Sequence, residues 1–181
     1  IDMGRRYHPE RPYDSANVDI VNDDARSFFA TTEKRYDLIV FGLLDSHTTT
    51  AMTNARLDHY VYTLESISRA KSLLNEGGVM VVNMNMRSDS SDGINNCLAD
   101  TISSVFGNVV TIDVAHSTNR ELFASDSDSF LDRLSANTDA LPQEDLRNMM
   151  RIVKTGLEPY KAGDHILTDD KAPVELLGMK V

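Results

Sequence analysis

The sequence predicts an α/β fold: a mainly parallel sheet with helices on both faces and an antiparallel strand pair toward the C-terminus. Three observations carry this expectation. Short runs rich in β-branched and aromatic residues alternate with longer segments whose apolar residues recur at helical spacing, which is the pattern of strand–helix–strand units. One run, Tyr36 to Leu43 (YDLIVFGL), is apolar from Leu38 onward in the manner of a strand buried on both faces of a parallel sheet. The runs Val109–Val114 and Glu121–Ser125 are joined too briefly for a helical crossover and must therefore be antiparallel.

Residues 1–17 are polar and interrupted by Pro9 and Pro12, so after Gly4 they read as loop. Val18 to Val21 follows as a short strand, and Asp24 to Thr32 as a helix carrying Phe28 and Phe29. Beyond the Tyr36 strand, Thr63 caps a helix with Leu64, Ile67, Ala70 and Leu74 on one face. Gly77-Gly78 is the expected left-handed end of that helix, and Val79 to Asn83 the strand after it. Ile94, Leu98, Ile102 and Val105 mark a helix from about Gly93 to Phe106, which turns at Gly107-Asn108 into the antiparallel pair. Ser127 opens a helix with Phe130, Leu131 and Leu134. Pro142 stands before a last helix whose apolar face is Leu146, Met149, Met150 and Val153, ending at Gly156.

Composition narrows the function classes. The chain has 181 residues, the size of one domain, with 18 Lys and Arg against 28 Asp and Glu, a net charge of −10. No excess positive charge is available to displace counterions, so a nucleic-acid partner is not expected. The single cysteine, Cys97, excludes a disulfide within the chain and a multi-cysteine zinc site, and it reads as a structural helix residue. The longest apolar run, Leu38 to Leu44, is too short to span a bilayer. His8, His47, His59, His116 and His165 lack metal-ligand spacing, so no metal is expected. Ser46 has no G-x-S-x-G setting that would support hydrolase chemistry.

Ligands of open α/β sheets bind outside the carboxyl ends of the strands. Three segments fall there: Asn22-Asp23-Asp24-Ala25-Arg26, Gly42-Leu43-Leu44-Asp45-Ser46-His47, and Asn83-Met84-Asn85-Met86. Carboxylates in the first two suit an amine, an exocyclic amino group or sugar hydroxyls. Asp24 reads equally as the cap of the Phe28 helix, and Asp45 as a solvated loop acid. His47, beside Asp45, is an acid/base candidate. Tyr60 and Tyr62 read as pocket lining or as packing at a helix entry.

The order DDARSFF, YDLIVFGLLDS, YVYTLES, LLNEGGVMVV and ILTDDKAPVEL, from about Val18 to Leu176, resembles the spermidine synthase family and its spermidine synthase-like relatives. The resemblance implies a Rossmann-like class I methyltransferase fold with sheet order 3-2-1-4-5-7-6. It also implies transfer of an aminopropyl group from decarboxylated S-adenosylmethionine to an amine. Asp24, with Ala25, corresponds to the family's adenine-contacting acid, and Gly42 belongs to the same cofactor-side set. Asp45, Tyr62, Asp169 and Asp170 are the expected substrate-side residues, the last two from Leu167-Thr168-Asp169-Asp170. The acid expected to take up the amine proton falls on Gly42, which cannot be a general base.

No G-x-G-x-G turn occurs in the chain, and Ile1-Asp2-Met3-Gly4 resembles the end of the helix that follows the family's second strand. The resemblance therefore implies a single, incomplete catalytic domain over residues 1–181, without the first two strands and inactive on its own. Asp2 then reads as an ordinary helical residue rather than a ribose-binding acid. The Val18 strand is expected to pair with the Tyr36 strand or to be displaced, and a second copy of the chain to cover an open sheet edge. The protein is expected in the cytoplasm, with a membrane portion N-terminal to this chain left open, as in some spermidine synthase-like relatives. Two other readings stand beside aminopropyl transfer: an S-adenosylmethionine-dependent methyltransferase of unknown acceptor, and a non-catalytic polyamine-binding or assembly domain.

Overall fold

A computed structural model describes residues 1–42, 61–84, 94–114 and 119–171. Along the chain these form α1 (Asp2–Tyr7), α2 (Ala25–Thr31), β1 (Tyr36–Phe41), α3 (Leu64–Ser72), β2 (Leu74–Met84) and α4 (Ile94–Val105). They continue with β3 (Asn108–Asp113), β4 (Arg120–Ser125), α5 (Phe130–Ala140), α6 (Glu144–Gly156) and β5 (Glu158–Pro159). The five strands make one sheet in the order β1-β2-β4-β3-β5. The α/β class expected from the sequence is the class observed. The sheet is less parallel than expected, however: β1·β2 is parallel, while β2·β4, β3·β4 and β3·β5 are antiparallel.

The core lies between one face of the sheet and α3 and α4. Met80, Val82 and Met84 alternate along β2 and are buried with Leu122 and Ala124 of β4, against Ile67 and Ala70 of α3 and Leu98, Ala99 and Ile102 of α4. Period-two burial on the strands meets a 3.6-residue apolar stripe on each helix, which fixes both the register and the helix rotation. The opposite face is covered mainly at its far end, where Gly156 of α6 lies close against Ile112. At its near end Leu38 and Val40 are 54% and 57% exposed, on the side of Val79 and Val81. The expectation that the Tyr36 strand is buried on both faces is thereby corrected: among the described residues β1 is an edge strand with helices on one side only.

Two further expectations give way to pairing. Val18–Val21 forms no strand among the described residues. Val18 and Val21 are exposed, because an extended segment becomes a strand only where a sheet edge accepts it. The Thr63 helix ends at Ser72 rather than at Gly77, because Leu74 is already paired with Tyr36. The register then jumps from Tyr36↔Leu74 to Leu38↔Val79, a bulge that Gly77 permits with φ +70°. A Cβ at Gly77 would stand 2.8 Å from Arg133, whose guanidinium donates to the Gly77 carbonyl at 2.7 Å.

Ile67 is fully buried where α3 meets β2. Ile67→Ala is expected to lower unfolding stability by about 2–5 kcal/mol, read from urea denaturation midpoints, while Ile152→Ala on the exposed face of α6 changes it by less than about 0.5 kcal/mol.

Candidate functional site

Helices that connect parallel strands run antiparallel to them, so α2 and α3 both start at the carboxyl ends of β1 and β2. Ring contacts tie these elements together. Phe29 of α2 lies 5.7 Å from Phe41 at the end of β1, and Phe41 lies 6.4 Å from Tyr62, just before α3. Gly42 is next in sequence and exposed. A Cβ built on it meets nothing among the described residues closer than Val40 at 4.0 Å.

Asp24 is the cap of α2: its Oδ1 accepts from Ser27 N at 3.0 Å. It is also exposed, so the cap leaves a carboxylate oxygen toward solvent, and both sequence readings of Asp24 fit the same position. Ala25 opens the helix beside it. Thr63 caps α3 and is completely buried; its Oγ1 accepts from Ser66 N at 3.4 Å and from Arg26 Nη1 at 3.0 Å, and donates to Asp169 Oδ1 at 2.6 Å. That hydroxyl thereby fills its donor and both acceptor positions. Arg26 also donates from Nη1 to Asp169 Oδ1 at 2.7 Å and from Nη2 to Asp169 Oδ2, a two-pronged guanidinium–carboxylate pair. Asp169 N donates to Glu65 at 3.0 Å, and Leu64 N to the Leu167 carbonyl at 2.7 Å. The Leu167–Asp170 motif, in a turn closed by Thr168 and Lys171, is thus fastened to the start of both helices.

Electrostatics follow the geometry. Hydrogen bonding to Arg26 holds the Asp169 carboxyl below its ordinary range, and the same bond raises the Arg26 guanidinium. Upstream, buried Asp100 on α4 accepts from Tyr160 Oη at 2.8 Å, Gly163 N at 2.7 Å and His165 N at 3.2 Å. Burial, reinforced by Asp100, raises the Tyr160 phenol and keeps it a donor. Thr101 Oγ1 accepts from Leu167 N at 2.9 Å.

The structure therefore brings Asp24, Ala25, Gly42, Tyr62, Asp169 and Asp170 to one end of the sheet. Asp170 is exposed, whereas Asp169 is engaged with Arg26 and Thr63. Asp45, His47, Tyr60, Asn85 and Met86 lie outside the described residues. Sequence reasoning missed Arg26 and Asp100. Arg26 had a detectable signature: a cation in the first turn opposes the helix dipole and calls for a specific acid. Asp100 had another, an acid between the buried positions Ala99 and Thr101.

A cleft of about 720 Å³ at the opposite, amino end of the sheet is lined by Arg35, Lys71, Phe106, Asp126 and Arg133. Its cations are occupied internally: Lys71 by Asp126 and the Val105 carbonyl, Arg35 by the Ser72 and Leu74 carbonyls, and Arg133 by that of Gly77. Among the described residues no cluster of His, Cys, Asp or Glu is arranged to hold a metal, and no helix is long and apolar enough to cross a membrane.

The strand order β1-β2-β4-β3 reproduces the 4-5-7-6 portion of the class I methyltransferase-like sheet. Comparison with a crystal structure of spermidine synthase in complex with the transition state analogue AdoDATO gives a TM-score of 0.57 at 18% identity, covering 86% of this chain and 55% of that one. The chain thus has the spermidine synthase fold. In sequence it is similar to a probable polyamine aminopropyl transferase of Bifidobacterium longum (strain NCC 2705), 36% identical over 98% of this chain. The chain spans 41% of the length of that relative. A probable spermidine synthase from Corynebacterium glutamicum aligns over 81% of this chain and 55% of that one, with 22% identity and a TM-score of 0.46. No family model matches the chain. The resemblance read from the motifs is thus matched by a sequence similarity that runs over 98% of this chain.

Because Arg26 and Thr63 depress the Asp169 pKa, ionised Asp169 stabilises the fold above the ordinary carboxylate pKa, and that contribution disappears as pH falls through the depressed value. Asp169→Asn is expected to be less stable than the parent at about pH 7, with the gap closing as pH falls below the ordinary carboxylate pKa of about 3.9. Urea midpoints of both proteins across that range read the effect.

Proposed function

We propose that this chain is the substrate-side part of an aminopropyl transferase that uses decarboxylated S-adenosylmethionine and a small-molecule amine. The observation that carries the reading is the gathering of Asp24, Gly42, Tyr62 and Asp170 at the carboxyl end of β1, in a chain similar over nearly its whole length to a probable polyamine aminopropyl transferase. The residues fit the donor: an exposed carboxylate at Asp24 can accept from an adenine amino group, and no described residue crowds Gly42 at the strand end. When bound, such a donor supplies an electrophilic carbon on its sulfonium. The chain's part is to hold adenine at Asp24, line the amine channel with Tyr62, and attract an ammonium group by the charge of Asp170 and Asp45. Positioning of this kind lowers the barrier by supplying orientation in advance.

Gly42 favours a second reading, a polyamine-binding domain without transfer or a methyltransferase, since no carboxylate stands there to take the amine proton. The discriminating experiment gives the protein, in its natural length, decarboxylated S-adenosylmethionine with putrescine, and separately S-adenosylmethionine. Slow aminopropyl transfer is expected, and Gly42→Asp is expected to raise it on the order of 10²-fold. Putrescine binding with neither transfer, unaltered by Gly42→Asp, would establish the binding-domain reading; methyl transfer would establish the other.

Among the described residues no strand pairs with the outer edge of β1, where Leu38 and Val40 are exposed; in the 181-residue chain by itself a second copy is a way to cover that edge. In the 181-residue chain Val40→Lys is expected to shift sedimentation toward the monomer, and a monomeric profile of the parent 181-residue chain refutes the assembly.

A further inference from the structure

The segment from Tyr160 to Lys171 is fixed at two points, and the acids near its end are not equivalent. At its beginning, buried Asp100 accepts from Tyr160, Gly163 and His165, and Thr101 accepts from Leu167 N. At its end, both oxygens of Asp169 are taken by Arg26, Oδ1 also by Thr63, while its main-chain N–H goes to Glu65. Asp170, one residue on, is exposed and pairs with no cation among the described residues. Arg26 is the second residue of α2 and follows Asp24 by two positions, so the clasp ties the donor end of the site to its amine end. A guanidinium is disfavoured in the first turn of a helix; its placement there is explained by the carboxylate that meets it.

We propose that Arg26 is a positioning residue: by neutralising Asp169 and locking it to Thr63, it sets the Thr168–Lys171 turn over the starts of α2 and α3 and leaves Asp170 as the acid that meets the ammonium group of the amine. The amine in this assignment rests on the aminopropyl-transfer reading; the clasp does not. Asp169 is then structural and Asp170 ligand-facing, although the two are adjacent and chemically identical.

The test pairs two measurements on the protein in its natural length, amide hydrogen exchange and titration with putrescine. Arg26→Ala and Asp169→Asn are each expected to speed exchange of the Thr168, Asp169 and Lys171 amides about tenfold or more, with the core amides of β2 unchanged, and to weaken putrescine about tenfold. Arg26→Lys, which keeps the charge and loses the fork, falls between. The double variant Arg26→Ala/Asp169→Asn is no worse than either single one. Asp170→Asn weakens putrescine to a similar degree and leaves exchange unaltered. Unchanged turn exchange in Arg26→Ala, additive single variants, general loss of β2 protection, or parent-like putrescine binding by Asp170→Asn would each overturn the assignment. If the parent protein itself binds no putrescine, the functional reading fails and so does the role given to Asp170, while exchange and additivity still decide the clasp.

Discussion

Every second residue of β2, from Met80 through Val82 to Met84, is buried against α3 and α4, and that alternation fixes where both neighbours of β2 stand. A shift of one residue would move the entire set to the half-covered face. With β2 so held, β1 pairs parallel on one side and β4 antiparallel on the other, and the carboxyl ends of β1 and β2 come level with the starts of α2 and α3. The site depends on this, since Asp24, Gly42 and Tyr62 all belong to segments whose positions the β2 register sets. The bulge at Gly77 absorbs the extra residues before Val79 and keeps the downstream register intact.

Much of this was legible because local chemistry and tertiary packing agree. Thr63 and Asp24 are good caps by side-chain type and are caps in the structure. The brevity of the link between β3 and β4 dictated their antiparallel pairing. What failed, failed where a partner strand decides the outcome. Val18–Val21 has strand-like residues and no ladder. The apolar run through Leu38 and Val40 suggested two covered faces where the described residues cover one. Gly77 looks like a helix end in isolation, but the pairing of Leu74 with Tyr36 stops the helix earlier and leaves the glycine to form a bulge. At the site, positions were readable and partnerships were not. The acids of Leu167–Asp170 look alike in sequence, and only the distant Arg26, 143 residues away along the chain, separates them.

The separation matters for charge. Three groups converge on the Thr63 hydroxyl, and the ion pair they support has side chains about two-thirds shielded from water, 31% and 34% exposed. Such a pair is worth more for the geometry it imposes than for its net energy, since the cost of removing two charges from water offsets much of their attraction. The buried Asp100 acts the same way at the other end of the segment, with main-chain N–H groups in place of a guanidinium. Two satisfied carboxylates thereby hold the two ends of the segment that carries a third, exposed one, Asp170.

Carboxylates that attract an ammonium group also oppose its use as a nucleophile. An alkyl amine with a pKa near that of lysine, about 10.4, is neutral in only about one molecule in 10³ at pH 7. A neighbouring negative charge raises that pKa and lowers the neutral fraction further. Attack needs the lone pair, so an acid-lined site must also provide a group that accepts the proton as the new bond forms. On the aminopropyl-transfer reading the proton-accepting acid would stand at position 42, where the side chain is a single hydrogen. On that reading the described residues around it would serve to hold an amine rather than to activate it. Any transfer must draw its base from Asp45, from water, or from chemistry beyond these segments. Among the described residues nothing stands closer than 4.0 Å to a Cβ built on Gly42, so none of them bars a carboxylate introduced there.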